Sequence, residues 1–142
     1  MEICPYAKLW ELAQDIDMQN STARPHNTEV YKITSAASWE NANQLGQFDG
    51  SDDDRCDGFI HLSTAEQLRG TLEKHFMGRS GLVLIAFAAA SLAPSLRWEV
   101  SCGSALFPHL YAGLPTNLAL WVRPLNAGSD GIPAFDPAWL AC

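Results

Sequence analysis

Two stretches of this chain place chemically useful side chains at every second position. Asp57-Gly58-Phe59-Ile60-His61-Leu62-Ser63-Thr64 carries an imidazole and a hydroxyl two residues apart, and Leu96-Arg97-Trp98-Glu99 carries a guanidinium and a carboxylate at the same spacing. In a strand, alternate side chains point to opposite faces. Phe59, His61 and Ser63 then share one face against Ile60 and Leu62, and Arg97 and Glu99 oppose Trp98 and Val100. Lys32 in Val30-Tyr31-Lys32-Ile33-Thr34, and His109 with Tyr111 in Leu106-Phe107-Pro108-His109-Leu110-Tyr111, follow the same rule. If the strands that carry them are neighbours, these groups converge on one cleft. Imidazoles trade protons near neutral pH, arginine and lysine hold anions by charge-assisted hydrogen bonds, and a carboxylate stabilises developing positive charge. Plainer readings compete. His61 can serve only to bond nearby backbone, and Arg97 with Glu99 can be a solvent-side ion pair worth little. His61 and His109 can share a metal ion, but the sequence offers no clear third ligand, so no metal site is assigned.

The elements that position these groups follow from local pattern. Val30–Thr34 reads as the first strand of the core domain. Ser35 opens a helix through Trp39 and Ala42 to Gln44, and Gly46 stops it. Residues 47–57 read as a loop with Asp49, Asp52, Asp53, Asp54 and Asp57; the spacing does not match an EF-hand and no Glu closes it, so a solvated, mobile loop is expected. Thr64 is expected to cap the next helix, with Gln67 three residues on as in a capping box, and its N-terminus would suit an anionic or phosphate-bearing ligand. Ala65, Leu68, Leu72 and Phe76 form that helix's apolar face, and Gly78 ends it, with His75 read as a surface residue. Leu82–Phe87 is apolar on both faces and reads as a central buried strand. Leu106–Tyr111 reads as irregular or as an edge, because Pro108 cannot donate to a ladder. Asn117–Val122 is another strand, and Phe135, Trp139 and Leu140 tack down the tail. The expected fold class is α+β: a mixed, largely antiparallel sheet of five or six strands with a few helices. Residues 1–28 read as a helical arm and linker, with Tyr6, Leu9, Ala13 and Ile16 as an apolar stripe; residues 29–142 read as a single domain. Such a stripe needs cover, from the domain or from a second copy in a homo-oligomer.

Composition narrows the partners. The chain has 142 residues, 47% of them hydrophobic, and a formal net charge of -7. That balance suits a globular domain and disfavours nucleic acid, since no basic run offers a local exception. No stretch is long and apolar enough to span a membrane, and the start lacks the pattern of a secretory signal, so a cytoplasmic protein is expected. Cys4, Cys56, Cys102 and Cys142 are widely spaced and are expected to be free thiols.

Taken together, Val30-Tyr31-Lys32-Ile33, Asp57–Thr64, Leu96-Arg97-Trp98-Glu99 and Phe107-Pro108-His109-Leu110-Tyr111 resemble the pattern of the domain-of-unknown-function 952 family of small bacterial proteins, over roughly residues 29–133. That family is similar, more distantly, to the ADP-ribosyltransferase fold, including the tRNA 2′-phosphotransferases. The resemblance implies an ADP-ribosyltransferase-like domain in which Tyr31-Lys32-Ile33-Thr34 begins the NAD site, Lys32 standing where the superfamily usually has His or Arg. His61-Leu62-Ser63 looks like the His-Leu-Ser segment of the phosphotransferases. It implies a catalytic role for Glu99 and His61, and ligand contacts from Lys32, His61, Ser63, Thr64, Arg97, His109 and Tyr111. No cofactor is required; NAD is a candidate substrate, and the partner is a small phosphate-bearing molecule. Two functions stay open: a transferase or glycohydrolase acting on NAD or another nucleotide, and a non-catalytic binding module on the same fold.

Overall fold

The computed structural model describes residues 28–100 and 105–140. The expected N-terminal helix lies outside these residues. Strand β1 (Glu29–Ser35) pairs antiparallel with β4 (Leu82–Ala88), and β4 pairs antiparallel with β8 (Trp121–Pro124). β4 is therefore central, as its two apolar faces require. Val83, Ile85 and Phe87 enter one core with Val30, Trp39 and Phe48, while Leu82, Leu84 and Ala86 enter another with Tyr31, Ile33, Leu68 and Leu72. The strand's period of two thus separates two hydrophobic cores.

A second antiparallel sheet runs in the order β3 (Ile60–His61), β6 (Leu106–Leu110), β5 (Leu96–Val100). The two sheets meet where Tyr31 and Ser63 exchange backbone hydrogen bonds of 2.8 and 2.9 Å. A short pair, β2 (Gln47–Phe48) with β7 (Leu114–Pro115), completes the strands among the described residues. The architecture is α+β and antiparallel; the strands beyond the expected five or six are two-residue pieces that leave no periodicity to read.

Helix α1 (Ala36–Leu45) begins and ends as the sequence predicts. The Ser35 hydroxyl accepts from the Ser38 amide, Gly46 takes the left-handed conformation at φ 86°, and Trp39 and Ala42 face the core. Three other expectations fail. The acidic stretch is a helix, α2 (Asp52–Asp57), with a capping box between Ser51 and Asp54 and a left-handed Gly58 at φ 87°. Aspartates in the first turn complement the helix dipole, so their clustering favours order here. Thr64 does not cap a helix: α3 (Leu68–His75) starts four residues later, after a turn in which the Gln67 amide donates to the Thr64 carbonyl at 3.1 Å and the Thr64 amide donates to Gln67 Oε1 at 3.0 Å. Finally, β6 is the middle strand of its sheet despite Pro108. The Pro108 carbonyl accepts from the Leu62 amide at 3.0 Å, just past the end of β3, so the missing Pro108 N–H points to that same side, where the ladder is ending anyway. A last short helix, α4 (Ala89–Leu92), follows β4. The predicted strand over 117–122 starts late, at Trp121, after a 3-10 turn over Thr116–Leu118. Phe135, Trp139 and Leu140 do pack on the second core. Among the described residues no helix is long and apolar enough to cross a membrane.

Candidate functional site

The seam between the two sheets holds two linked sets of polar side chains. The first is built around Asp54, which is 3% exposed. Helix α2 orients it through the capping box: Asp54 Oδ2 accepts from the Ser51 amide at 2.9 Å. Lys32 on β1 donates its ammonium to the same oxygen at 2.8 Å and to the His61 carbonyl at 3.1 Å. The other oxygen, Oδ1, accepts from the His61 amide at 3.0 Å and lies 2.6 Å from His61 Nδ1. His61 Nε2 lies 2.7 Å from Asp57 Oδ2, one turn further along α2 and across Gly58. Each ring nitrogen of His61 therefore faces a carboxylate, and the ring is fixed in orientation from both ends. Burial alone would raise the Asp54 carboxyl, but the His61 hydrogen bond and the Lys32 charge outweigh it and hold Asp54 well below the usual carboxylate range.

The second set lies on β5, β6 and the residue after β6. Glu99 is fully buried and His109 is 2% exposed. Glu99 Oε1 lies 2.8 Å from His109 Nδ1 and accepts from the Tyr111 hydroxyl at 2.8 Å. Glu99 Oε2 is buried and has no hydrogen-bond partner among the described residues. Burial lowers the His109 ring from its ordinary value, against the pull of Glu99. Burial, reinforced by the bond to Glu99, pushes the Tyr111 hydroxyl far up. Phe59 joins the two sets: its ring stacks on His109 with centroids 3.9 Å apart and lies 4.7 Å from the His61 ring. The His61 and His109 rings are 5.6 Å apart, with His61 paired to His109 in the β3–β6 register.

A cleft of about 280 Å³ opens beside this seam, lined by Asp49, Arg55, Phe59, Leu110, Tyr111 and Gly113 among others. His61, His109 and Glu99 are not in its wall; Phe59, which stacks on His109, and Tyr111, which bonds Glu99, are. Arg97 is exposed, with its guanidinium 5.5 Å from the Tyr111 ring centroid. Among the described residues no group of three potential ligands is arranged for a metal ion.

The structure brings Lys32, His61, Glu99, His109 and Tyr111 into one region and leaves Arg97 at its rim. Ser63 and Thr64 are placed differently. Ser63 is 4% exposed and its hydroxyl lies 3.0 Å from the Thr71 hydroxyl on α3, while Thr64 is 8% exposed and tied to Gln67. Lys32 is present but its charge is committed to Asp54. The sequence reading missed Asp54 and Asp57 because it took the acidic run as a solvated loop. The signal was there: Ser51 stands three residues before Asp54 as a cap, and Gly58 ends the turn. Free thiols were expected, yet Cys56 on α2, between these two aspartates, is disulfide-bonded.

A family model for proteins of unknown function, DUF952, matches residues 33–122. The chain belongs to the DUF952 family. The matched span contains Asp54, His61, Glu99, His109 and Tyr111 and begins one residue after Lys32. Among solved structures, the crystal structure of protein CC0527 from Caulobacter crescentus is 45% identical, covering 75% of this chain and 94% of that one, with a TM-score of 0.73. The solution NMR structure of CC0527 is also 45% identical, covers 74% of this chain and 90% of that one, and gives a TM-score of 0.68. None of the curated proteins matches this chain.

Proposed function

We propose that this DUF952 protein binds a small ribose-containing nucleotide ligand beside the seam of its two sheets and acts on it as an ADP-ribosyltransferase-like transferase or glycohydrolase, with NAD as the candidate substrate. One observation carries the reading: Glu99 is a wholly buried carboxylate with one oxygen held by His109 and Tyr111 and the other without a hydrogen-bond partner among the described residues. An unsatisfied buried acceptor is costly, and a low-dielectric carboxylate acts strongly on nearby positive charge. In the proposed reaction the bond from the ribose anomeric carbon to the nicotinamide nitrogen breaks, and its electron pair leaves with nicotinamide. Water or an acceptor hydroxyl then bonds that carbon and gives up a proton. Glu99 stabilises the sugar cation between these steps. His61 is about one third exposed at its side chain, with Nδ1 held by Asp54 and Nε2 by Asp57; it takes the proton on Nε2 once the ligand draws Asp57 away.

A second reading has its own support. Lys32 is neutralised by Asp54, and Glu99 is fully buried and outside the cleft wall, which suits a module that binds a ligand without transforming it. Calorimetry with NAD, ADP-ribose and adenosine, joined to product analysis, separates the two. The transferase reading expects binding of NAD, release of nicotinamide, and loss of that release in Glu99→Gln with binding kept. Binding without product favours the module, and no binding of any of the three ends the nucleotide reading.

A further inference from the structure

Lys32 and Arg97 are the cations expected at a ligand phosphate, but Lys32 is 5% exposed with its ammonium held by Asp54. The cleft has another cation in its wall. Arg55 lines it from α2 and is exposed, and among the described residues it takes part in no ion pair. Arg97 approaches from the other sheet. Its guanidinium lies over Tyr111, whose ring lines the same cleft, and it too has no ion-pair partner among the described residues. Three nearby carboxylates are engaged elsewhere: Asp54 with Lys32 and His61, Asp57 with His61, Glu99 with His109 and Tyr111. Asp52 and Asp53, on the same helix as Arg55, are exposed to solvent, where their charge is screened. Asp49, the other acid lining the cleft, accepts from Gln47 Nε2 at 2.6 Å. It keeps further acceptor sites, which suit a sugar hydroxyl and repel a phosphate.

We propose that Arg55 and Arg97 form a two-arginine anion clamp at the mouth of the cleft and select ligands that carry phosphate. The ligand class rests on the nucleotide reading above; the clamp rests on Arg55 in the cleft wall and Arg97 beside Tyr111, neither with an ion-pair partner among the described residues. The chain's net charge of -7 repels anions at long range, so a phosphate ligand needs a local concentration of positive charge. Arginine supplies it with a planar fork of donors that matches phosphate oxygens. Phe59 and Tyr111 give the same cleft an aromatic wall for the rest of the ligand.

The test is calorimetry of the unmodified protein, Arg55→Ala, Arg55→Lys and the Arg55→Ala/Arg97→Ala double variant with ADP-ribose, adenosine and inorganic pyrophosphate. Arg55 is exposed, so its replacement leaves the fold intact; matching thermal melts check this. ADP-ribose is expected to bind at least about tenfold tighter than adenosine. Arg55→Ala should cut that preference by about tenfold and the double variant should abolish it, with adenosine affinity unchanged and Arg55→Lys intermediate. Pyrophosphate should bind the unmodified protein and not the double variant. If adenosine and ADP-ribose bind equally, or the preference survives in the double variant, the clamp is overturned and the nucleotide reading stands. If neither nucleotide ligand binds but pyrophosphate does and loses its binding in the double variant, the clamp stands and the nucleotide reading falls. If neither pyrophosphate nor ADP-ribose binds, the clamp is overturned.

Discussion

The two halves of the seam treat buried charge in opposite ways. Around Asp54 every charge is matched: Lys32 and His61 occupy both carboxylate oxygens, and the Ser51 and His61 amides add two more donors. Around Glu99 one oxygen takes both His109 and Tyr111 while the other has no partner among the described residues. A closed network costs little to keep and fixes geometry; an open one is strained until something fills it. The difference teaches that the first set orients, by locking His61 and the strand that carries it, while the second keeps a buried acceptor that none of the described residues satisfies.

The largest expected effect comes from opening the closed set. Asp54→Ala leaves the Lys32 ammonium buried without a counter-charge and should cost about 3–5 kcal/mol in urea unfolding. A Lys32→Met/Asp54→Leu double variant should lose less than Asp54→Ala alone, since removing both charges leaves no orphan. A double variant worse than the single one would mean that Asp54 acts chiefly through His61 and α2 instead. Next in size is the covalent tie on the same helix. Reductant, or Cys56→Ser, should destabilise the protein by about 2–4 kcal/mol. Identical melts with and without reductant would show that α2 holds Asp54 without its disulfide.

Glu99→Gln keeps an acceptor for His109 and Tyr111 and turns the free oxygen into an amide donor. Its expected cost is about 1–3 kcal/mol, below that of Asp54→Ala, because the new buried donor has nothing to bond. A gain in stability would show that the lone oxygen already faces an acceptor. The smallest effects are in pH dependence, and they differ between the halves. Asp54 is depressed in the folded state, so its contribution is complete above about pH 4 and fades as pH falls through and below that value. His109 is depressed in the opposite sense of charge: the unfolded ring takes a proton that the buried ring resists. Its contribution is complete above about pH 6.5 and is lost as pH falls through that value. Unfolding free energies between pH 8 and pH 2 should fall in two ranges, the upper fall smaller in His109→Gln, where His75 still contributes in the same sense, and the lower one smaller in Asp54→Asn.

Much of the frame was readable before any coordinates. Alternation on β4 gave a buried centre, Ser35 and Gly46 bounded α1, and period-two spacing on β3 and β5 put Ile60, Leu62 and Trp98 in the core with His61 and Glu99 near each other. What escaped was tertiary in origin. Asp54 is buried because Lys32, 22 residues earlier, crosses to meet it, and nothing within the acidic run announces that pairing. Pro108 is tolerated because β3 is so short, a fact of chain geometry and not of composition. Ser63 looked like a ligand group on its strand face, but Thr71 claims its hydroxyl once α3 packs there. Arg55 was hidden in the stretch read as loop.

The central claim is that both halves of the seam respond to one ligand. Long-range proton–nitrogen NMR of the histidine rings during an ADP-ribose titration tests it most directly. The account predicts that the His61 and His109 ring signals shift together and saturate at one ligand per chain. Saturable binding by calorimetry with both rings unmoved would contradict it and place the ligand away from the seam.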